Sequence, residues 1–323
     1  MNKYKVCIIG CGDIGFLFDY DKKIEGALTH FKAFSDSENF EVCAVGEKKN
    51  EIRCLIKDNY KTAVYDDYEK MCEEIKPDVI VIASNDESHF EMLNKVLKYK
   101  PKLVFCEKPL ALKFEEVKKI SELYDKAKVP LQVNFTRRFL DEFKDIDDIV
   151  RNKKIGEIES ATFYYSRGLI HNASHYLDLV LWYFGPPENV LSISSKEGIS
   201  KEDNTVSFNL SYAKGPEIRF IGLNPTKLSF GEIDFAGTAG RVKVNYKSEV
   251  ERYKVIENKM FKGYSSYEMY ECKEIQFTKA LPNAVENIYR ALKNNDDLKS
   301  PANNSLKIFE LINRIKEKPS WQN

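Results

Sequence analysis

The chain lacks long apolar runs, net charge and any zinc-like spacing of cysteine or histidine, and each shortage removes a class of function. No apolar run approaches the ~20 residues of a membrane-spanning helix. Lys+Arg and Asp+Glu each total 50, a formal net charge of zero, which argues against nucleic-acid or membrane partners. The seven cysteines are odd in number and scattered, and the four histidines form no ligand pattern with them, so no metal site is expected. Cys7, Cys43 and Cys106 fall in strand-like runs and read as reduced core residues of a cytoplasmic protein. Internal repeats and low-complexity segments are missing too. Lys3 and Lys5 precede VCIIG in the manner of a signal peptide, but Asp13 interrupts the stretch, no small-residue cleavage site follows, and a strand accounts for it better.

What is present is globular. Of 323 residues, 43% are hydrophobic and 31% charged, enough for a sizeable core in about two domains. Val6 to Ile9 form a short apolar run read as a buried strand, and Gly10, Cys11, Gly12, Asp13, Ile14 and Gly15 follow directly as G-x-G-x-x-G. A dinucleotide needs this arrangement. The first glycine turns out of the strand, the second lets backbone approach the pyrophosphate, and the third lets the next helix pack on the sheet. Free N–H groups at that helix start face the phosphates. Alone the motif is weak, because glycines also mark ordinary turns, and the preceding strand supplies its context. Residues 16–28 then interpose a polar segment before the helix-like THFKAFSDS. Leaving the carboxyl edge of the first strand, this segment is a candidate lid, with Asp19 and Tyr20 over cofactor or substrate. The second strand, residues 40–45, ends at Gly46-Glu47. Glu47 is read as the ribose ligand of NAD, its distance from the glycines explained by the interposed segment. Lys48 and Lys49 would suit a 2′-phosphate, so NADP stays open.

Strand-like and helix-like runs alternate onward: KTAVY, DYEKMCEEIK with Asp67 as N-cap, PDVIVIAS, HFEMLNKVLKY, KLVFCE, FEEVKKISELYDKAK and PLQVNF. The alternation predicts right-handed crossovers and an α/β doubly wound parallel sheet ordered 3-2-1-4-5-6, the cofactor lying across its carboxyl ends. Composition changes after about residue 134, so a Rossmann domain is expected over residues 1–134 and an α+β domain over 135–323. In the second, HNASHYLDLVLWYFG reads as a helix ending at Gly185. Strand-like segments from NVLSISS through LSFGEIDFAG to ECKEIQF fill residues 189–277, and AVENIYRALKN and SLKIFELINRIKE read as closing helices. A large, mostly antiparallel, open-faced sheet follows, one face of which needs cover. A homodimer or homotetramer is predicted.

Polar groups at the carboxyl ends of the first sheet are candidates for cofactor or substrate contact. Strand four runs into Ser84-Asn85-Asp86-Glu87-Ser88-His89, strand five into Glu107-Lys108-Pro109-Leu110, and strand six into Asn134-Phe135-Thr136-Arg137-Arg138. With GCGDIG, THFKAF, SHYLD at 174–178 and EIDFAGTAGRVKV at 232–244, these stretches resemble the glucose–fructose oxidoreductase / inositol dehydrogenase (Gfo/Idh/MocA) family. The resemblance covers nearly the whole chain in order, and EKP is its most specific part. It implies that Lys108 lies near the nicotinamide and the reacting hydroxyl, that His175 is the general base, and that Asn85, Glu107 and Pro109 lie on the cofactor side. Ser84 and His89 are grouped with them, His89 and His30 as helix-start residues lining the cleft. The chemistry is consistent. Oxidation of a secondary alcohol needs a base for the hydroxyl proton, and histidine titrates near neutral pH. An ammonium group stabilises the developing alkoxide.

One position departs from the family pattern. His171 stands four residues before His175, where many members carry aspartate. Either His171 acts as relay or substrate ligand, or Asn172 takes over substrate contact, or the usual activity is lost. Arg137, Arg138, Tyr165 and Arg167 are further candidates for a polar or anionic substrate. Tyr264, Tyr267 and Tyr270 read as β-surface or subunit-contact aromatics. The function expected is hydride transfer between NAD(P) and a secondary hydroxyl or carbonyl of a sugar, nucleotide-sugar or cyclitol. Two other readings stand beside it: a hydrolase or lyase of the same family using NAD without net redox, and a non-catalytic nucleotide sensor.

Overall fold

Apolar runs bounded by turn formers set the architecture. The computed structural model describes residues 3–200, 203–224 and 230–317. In it β1 (Tyr4–Ile9), β2 (Phe40–Gly46), β3 (Ala63–Tyr65), β4 (Val79–Ile82), β5 (Leu103–Cys106) and β6 (Leu131–Val133) form one parallel sheet, ordered β3-β2-β1-β4-β5-β6. This is the expected doubly wound order. Every residue of β4 and β5 is buried, as strands covered by helices on both faces require. The crossovers carry α1 (His30–Ser35), α2 (Asn50–Asn59), α3 (Tyr68–Ile75), α4 (His89–Val96) and α5 (Phe114–Ala127). Asp67 caps α3, accepting from the N–H groups of Glu69 (2.8 Å) and Lys70 (3.4 Å).

The other sheet follows α6 (Asp141–Arg151), a helix not among the expected elements although Phe143, Ile146 and Ile149 share its buried face. β7 (Ile158–Tyr165), α7 (Ser174–Phe184), β8 (Asn189–Ser200), β9 (Asp203–Ser211), β10 (Glu217–Gly222), β11 (Gly231–Gly237), β12 (Gly240–Val244), β13 (Glu249–Glu257) and β14 (Ser265–Glu274) come next. The strands are ordered β14-β13-β12-β11-β7-β10-β9-β8. β7 and β10 pair in parallel, and the remaining neighbours pair antiparallel. Leu228 and Ser229 of the expected LSFGEIDFAG strand lie outside the described residues, and the final strand begins earlier than ECKEIQF. Phe163 and Phe208 both stack on Phe220, at 4.7 and 4.4 Å. α7 packs on this inner face through Tyr176 against Phe163 and Tyr183 against Phe235.

The chain ends in α8 (Ala280–Asn294) and α9 (Ala302–Glu317). The compact units do not divide at 134/135: Met1–Leu140 groups with Gln276–Leu306, and Asp141–Ile275 with Lys307–Asn323. The apolar stripe of α8 is the reason. Leu281, Ala284, Val285 and Ile288 recur at helical spacing and join Phe34, Phe40 and Phe105 in the core of the first unit.

Residues 16–29 prove to be an excursion from within a helix. The N–H groups of Phe16 and Leu17 reach the Gly12 carbonyl (2.8 and 3.0 Å) to make one helical turn. The chain then leaves and returns, so that His30 and Phe31 donate to Ile14 and Gly15 at 3.0 Å, as the next turn of that helix would. The excursion is fastened down. Phe16 is buried among the rings of Tyr20, Phe31 and Tyr60. Asp19, 4% exposed, accepts from Leu28 N–H (2.6 Å), Thr29 N–H (3.1 Å) and the Thr29 hydroxyl (2.7 Å). Ala27 N–H donates to the Thr278 carbonyl at 2.8 Å. This corrects the lid expectation: Asp19 is consumed in holding its own loop, and Tyr20 packs on Phe16.

Candidate functional site

The ends of β1, β2 and β4 enclose a cavity of about 370 Å³, lined among others by Gly10, Gly12, Glu47, Lys48, Ser84 and Asn85. What a β-carbon would meet separates the roles of the three glycines. At Gly10, φ +90°, it would lie 2.7 Å from the Ala83 carbonyl oxygen, and at Gly15 it would lie 2.3 Å from that of Gly10. These two allow backbone to pack on backbone. At Gly12 it would meet nothing within 4 Å. That open backbone beside the cavity fits a pyrophosphate. Asp13 is exposed and Ile14 packs against the core; neither they nor Gly15 are among the cavity-lining residues.

Glu47 is oriented before any ligand arrives. One carboxylate oxygen accepts the Cys11 N–H (2.8 Å) and the other the Lys49 N–H (2.9 Å), leaving lone pairs for a hydroxyl donor. Arg53 is committed elsewhere, to the carbonyls of Glu47 (2.7 Å) and Lys48 (2.6 Å). Burial and the Glu47 charge push the Cys11 thiol up, so it adds no second anion to the loop.

At the end of β5, Lys108 is half-buried and rests on a polar cluster. Glu107 accepts from His30 Nε2 (2.7 Å) and Asn134 Nδ2 (2.6 Å) through one oxygen. Burial alone would push the Glu107 carboxyl up. The His30 hydrogen bond and charge, with Asn134 and Lys108, outweigh it and hold the group below its ordinary value. His89 is fully buried, with Nδ1 2.7 Å from the Pro109 carbonyl and Nε2 3.0 Å from that of Ser84. His89, Glu107 and Pro109 are thus buried, brace the loops that carry Lys108 and Ser84, and are not among the residues lining the glycine-loop cavity. His30, expected to line the cleft, is likewise buried against Phe105. The His30–Glu107–Asn134 grouping escaped sequence reasoning because its members lie 77 and 27 residues apart.

In the second unit the alternation of β7 turns Ala161, Phe163 and Tyr165 into the core at 0% exposure. The Tyr165 hydroxyl donates to the Val206 carbonyl (2.6 Å) and accepts its N–H (2.9 Å). This removes Tyr165 from the substrate candidates. The chain then bends through exposed Arg167 (φ +68°) and Gly168 (φ +91°) into a π-helical turn, Leu169–Ala173, that runs on into α7. His171, Asn172 and His175 are half-buried along it. Asn172 Nδ2 donates to the Ser166 carbonyl at 2.8 Å, so its amide braces the turn. In the first unit Arg138 reaches the Lys299 carbonyl (3.4 Å) and lines a separate cavity of about 580 Å³ with Tyr124, Asp125 and Asp297. It does not line the glycine-loop cavity. Arg137 is half-buried in the short turn Thr136–Phe139. Among the described residues no group of three His, Cys, Asp or Glu is placed to hold a metal, and no helix is long and apolar enough to cross a membrane.

Comparison with known proteins matches residues 4–135 to the model of an oxidoreductase family with an NAD-binding Rossmann fold. The chain is 28% identical over 193 residues to the inositol 2-dehydrogenase/D-chiro-inositol 3-dehydrogenase of Lactiplantibacillus plantarum, covering 55% of this chain and 51% of that protein. It is 30% identical over 154 residues to the myo-inositol 2-dehydrogenase of Thermotoga maritima, covering 47% and 42%. Residues 4–135 carry the match to the glucose–fructose oxidoreductase / inositol dehydrogenase family. The chain spans about half the length of these two curated relatives. Likeness of fold extends further than likeness of sequence. An oxidoreductase from Agrobacterium radiobacter, solved in complex with NAD+, L-tartaric acid and magnesium, superposes with a TM-score of 0.76 at 15% identity, over 100% of this chain and 98% of that one. The family's NAD-binding fold is the unit that holds the glycine loop, Glu47 and the cavity.

Proposed function

We propose that this protein is an NAD-dependent oxidoreductase moving hydride between nicotinamide and a secondary hydroxyl or carbonyl of a cyclitol or sugar. The observation that carries the reading is the open backbone of Gly12 sharing one cavity with the oriented Glu47 carboxylate. The inositol dehydrogenase relatives favour a cyclitol substrate. NAD is preferred over NADP because a 2′-phosphate would meet the Glu47 carboxylate while Arg53 is already committed to carbonyls. NAD, when bound, supplies the hydride acceptor. His175 takes the hydroxyl proton, and its imidazole suits that task near neutral pH. Lys108 donates a hydrogen bond to the oxygen as it gains charge. Glu107, held anionic by His30 and Asn134, sets a fixed negative charge beside that ammonium group.

Steady-state turnover of cyclitols and sugars with NAD+ and NADP+ tests the reading. Lys108→Ala should lower kcat by about 100-fold, the usual loss for one donor at a developing oxyanion. His175→Ala should lower it comparably and flatten the pH profile. Product formation with no net change in nicotinamide absorbance would replace the reading with non-redox use of NAD. The proposal extends to a homodimer or homotetramer. Its support is the concentration of exposed large apolar side chains within residues 246–270, including Tyr246, Met260, Tyr264, Met269 and Tyr270, which a subunit contact would cover. Sedimentation as a monomer at micromolar concentration would contradict that part.

A further inference from the structure

We propose that Asp203 and Thr205 of β9 are positioning residues that hold the turn carrying His171 and His175, doing from a distant strand what an acid within the turn cannot do here. The proposal rests on the reading of these histidines as site groups. Its basis is an accounting of backbone donors. The first turn of a helix leaves N–H groups without intrahelical partners. In this turn Asn172 and Ala173 already donate to the Gly168 carbonyl (3.3 and 3.1 Å). The N–H groups of Ile170 and His171 lie in the stretch that such an internal bond does not reach. Asp203 takes both, Oδ1 accepting Ile170 at 2.7 Å and Oδ2 accepting His171 at 2.8 Å. Two residues along the strand, and so on the same face, Thr205 Oγ1 accepts the N–H of Gly168 at 3.0 Å. Three donors within four residues thus end on two neighbouring side chains of β9.

The fit is tight and dry. Asp203 is 6% exposed and Thr205 1%. A β-carbon on Gly168 would lie 2.2 Å from Asp203 Oδ2, so glycine there is what lets the carboxylate close on the turn. The charged groups facing Asp203 are Lys316 and His171. A carboxylate at a helix start also complements the helix dipole. Because the His171 backbone is gripped directly, and His175 follows one helical turn later, a lost anchor displaces both rings.

The test is Asp203→Asn, read first in the protein without ligand. The four histidines can be resolved by nitrogen-15 NMR of the imidazoles. In Asp203→Asn the His171 and His175 signals should move while His30 and His89 stay, and kcat should fall by up to about 100-fold with the KM for NAD+ unchanged. Gly168→Ala should reproduce this by evicting the carboxylate, and the double variant should be no worse than the more damaged single one, since both act through one contact. If Asp203→Asn fails to fold, Thr205→Val should move the same two signals and Thr205→Ser should restore them. Unmoved His171 and His175 signals in Asp203→Asn, or in Thr205→Val where it is the variant measured, overturn the proposal. Moved signals in a protein with no measurable dehydrogenase activity support the positioning role and fail the functional reading instead.

Discussion

At the scale of single residues, space and hydrogen-bond capacity decide more than residue type. Gly12 and Gly15 belong to one motif yet should fail differently. Gly12→Val should abolish NAD+ binding in calorimetry and leave Tm unchanged, because its side chain enters open space beside the cavity. Gly15→Ala should cost about 1–3 kcal/mol of stability, because its methyl group meets a carbonyl oxygen. Glu107 gives a pH prediction with a definite sign. Its folded-state value lies below the ordinary one, so its stabilisation is complete above about pH 4.3 and is lost as pH falls through the folded value. The Tm difference between wild type and Glu107→Gln should therefore hold steady at neutral pH and shrink below about pH 4. The place of Glu47 beside the glycine loop was legible from motif context, and the roles proposed for Lys108 and His175 rest on the same kind of context. The direction of a side chain was legible only where periodicity is strict. Tyr165 shares a parity with Ala161 and Phe163 that already marked it as core, whereas nothing local told Arg138 from Arg137.

At the scale of elements, the strands and crossovers of the first sheet follow from apolar runs and turn formers, and Asp67 capped the predicted helix. Long-range fastening was not legible. Asp19 looked like a lid residue because it sits in a polar insertion, but its role depends on donors nine and ten residues away. Asp19→Ala should lower stability by about 2 kcal/mol or more, since three buried or half-buried donors lose one carboxylate. NAD+ affinity should stay at the wild-type value. Urea denaturation paired with calorimetric titration checks both, and a loss of affinity without a loss of stability would restore the lid. The anchors of the histidine turn were hidden in the same way, Asp203 lying 32 residues beyond His171.

At the scale of the whole molecule, the order of elements along the chain predicted two cores but not their membership. α8 completes the core of the first unit from a late position in the sequence, which a cut by composition cannot see. Hydride transfer to NAD, as proposed, is read most simply from the fate of the substrate's carbon-bound hydrogen. The protein is incubated with NAD+ and carbon-deuterated cyclitols and sugars, and the nicotinamide is examined by mass spectrometry. One deuterium is expected on the reduced nicotinamide ring, and it should be lost in Lys108→Ala. Product that forms while deuterium stays on the substrate carbon or passes to solvent would contradict it.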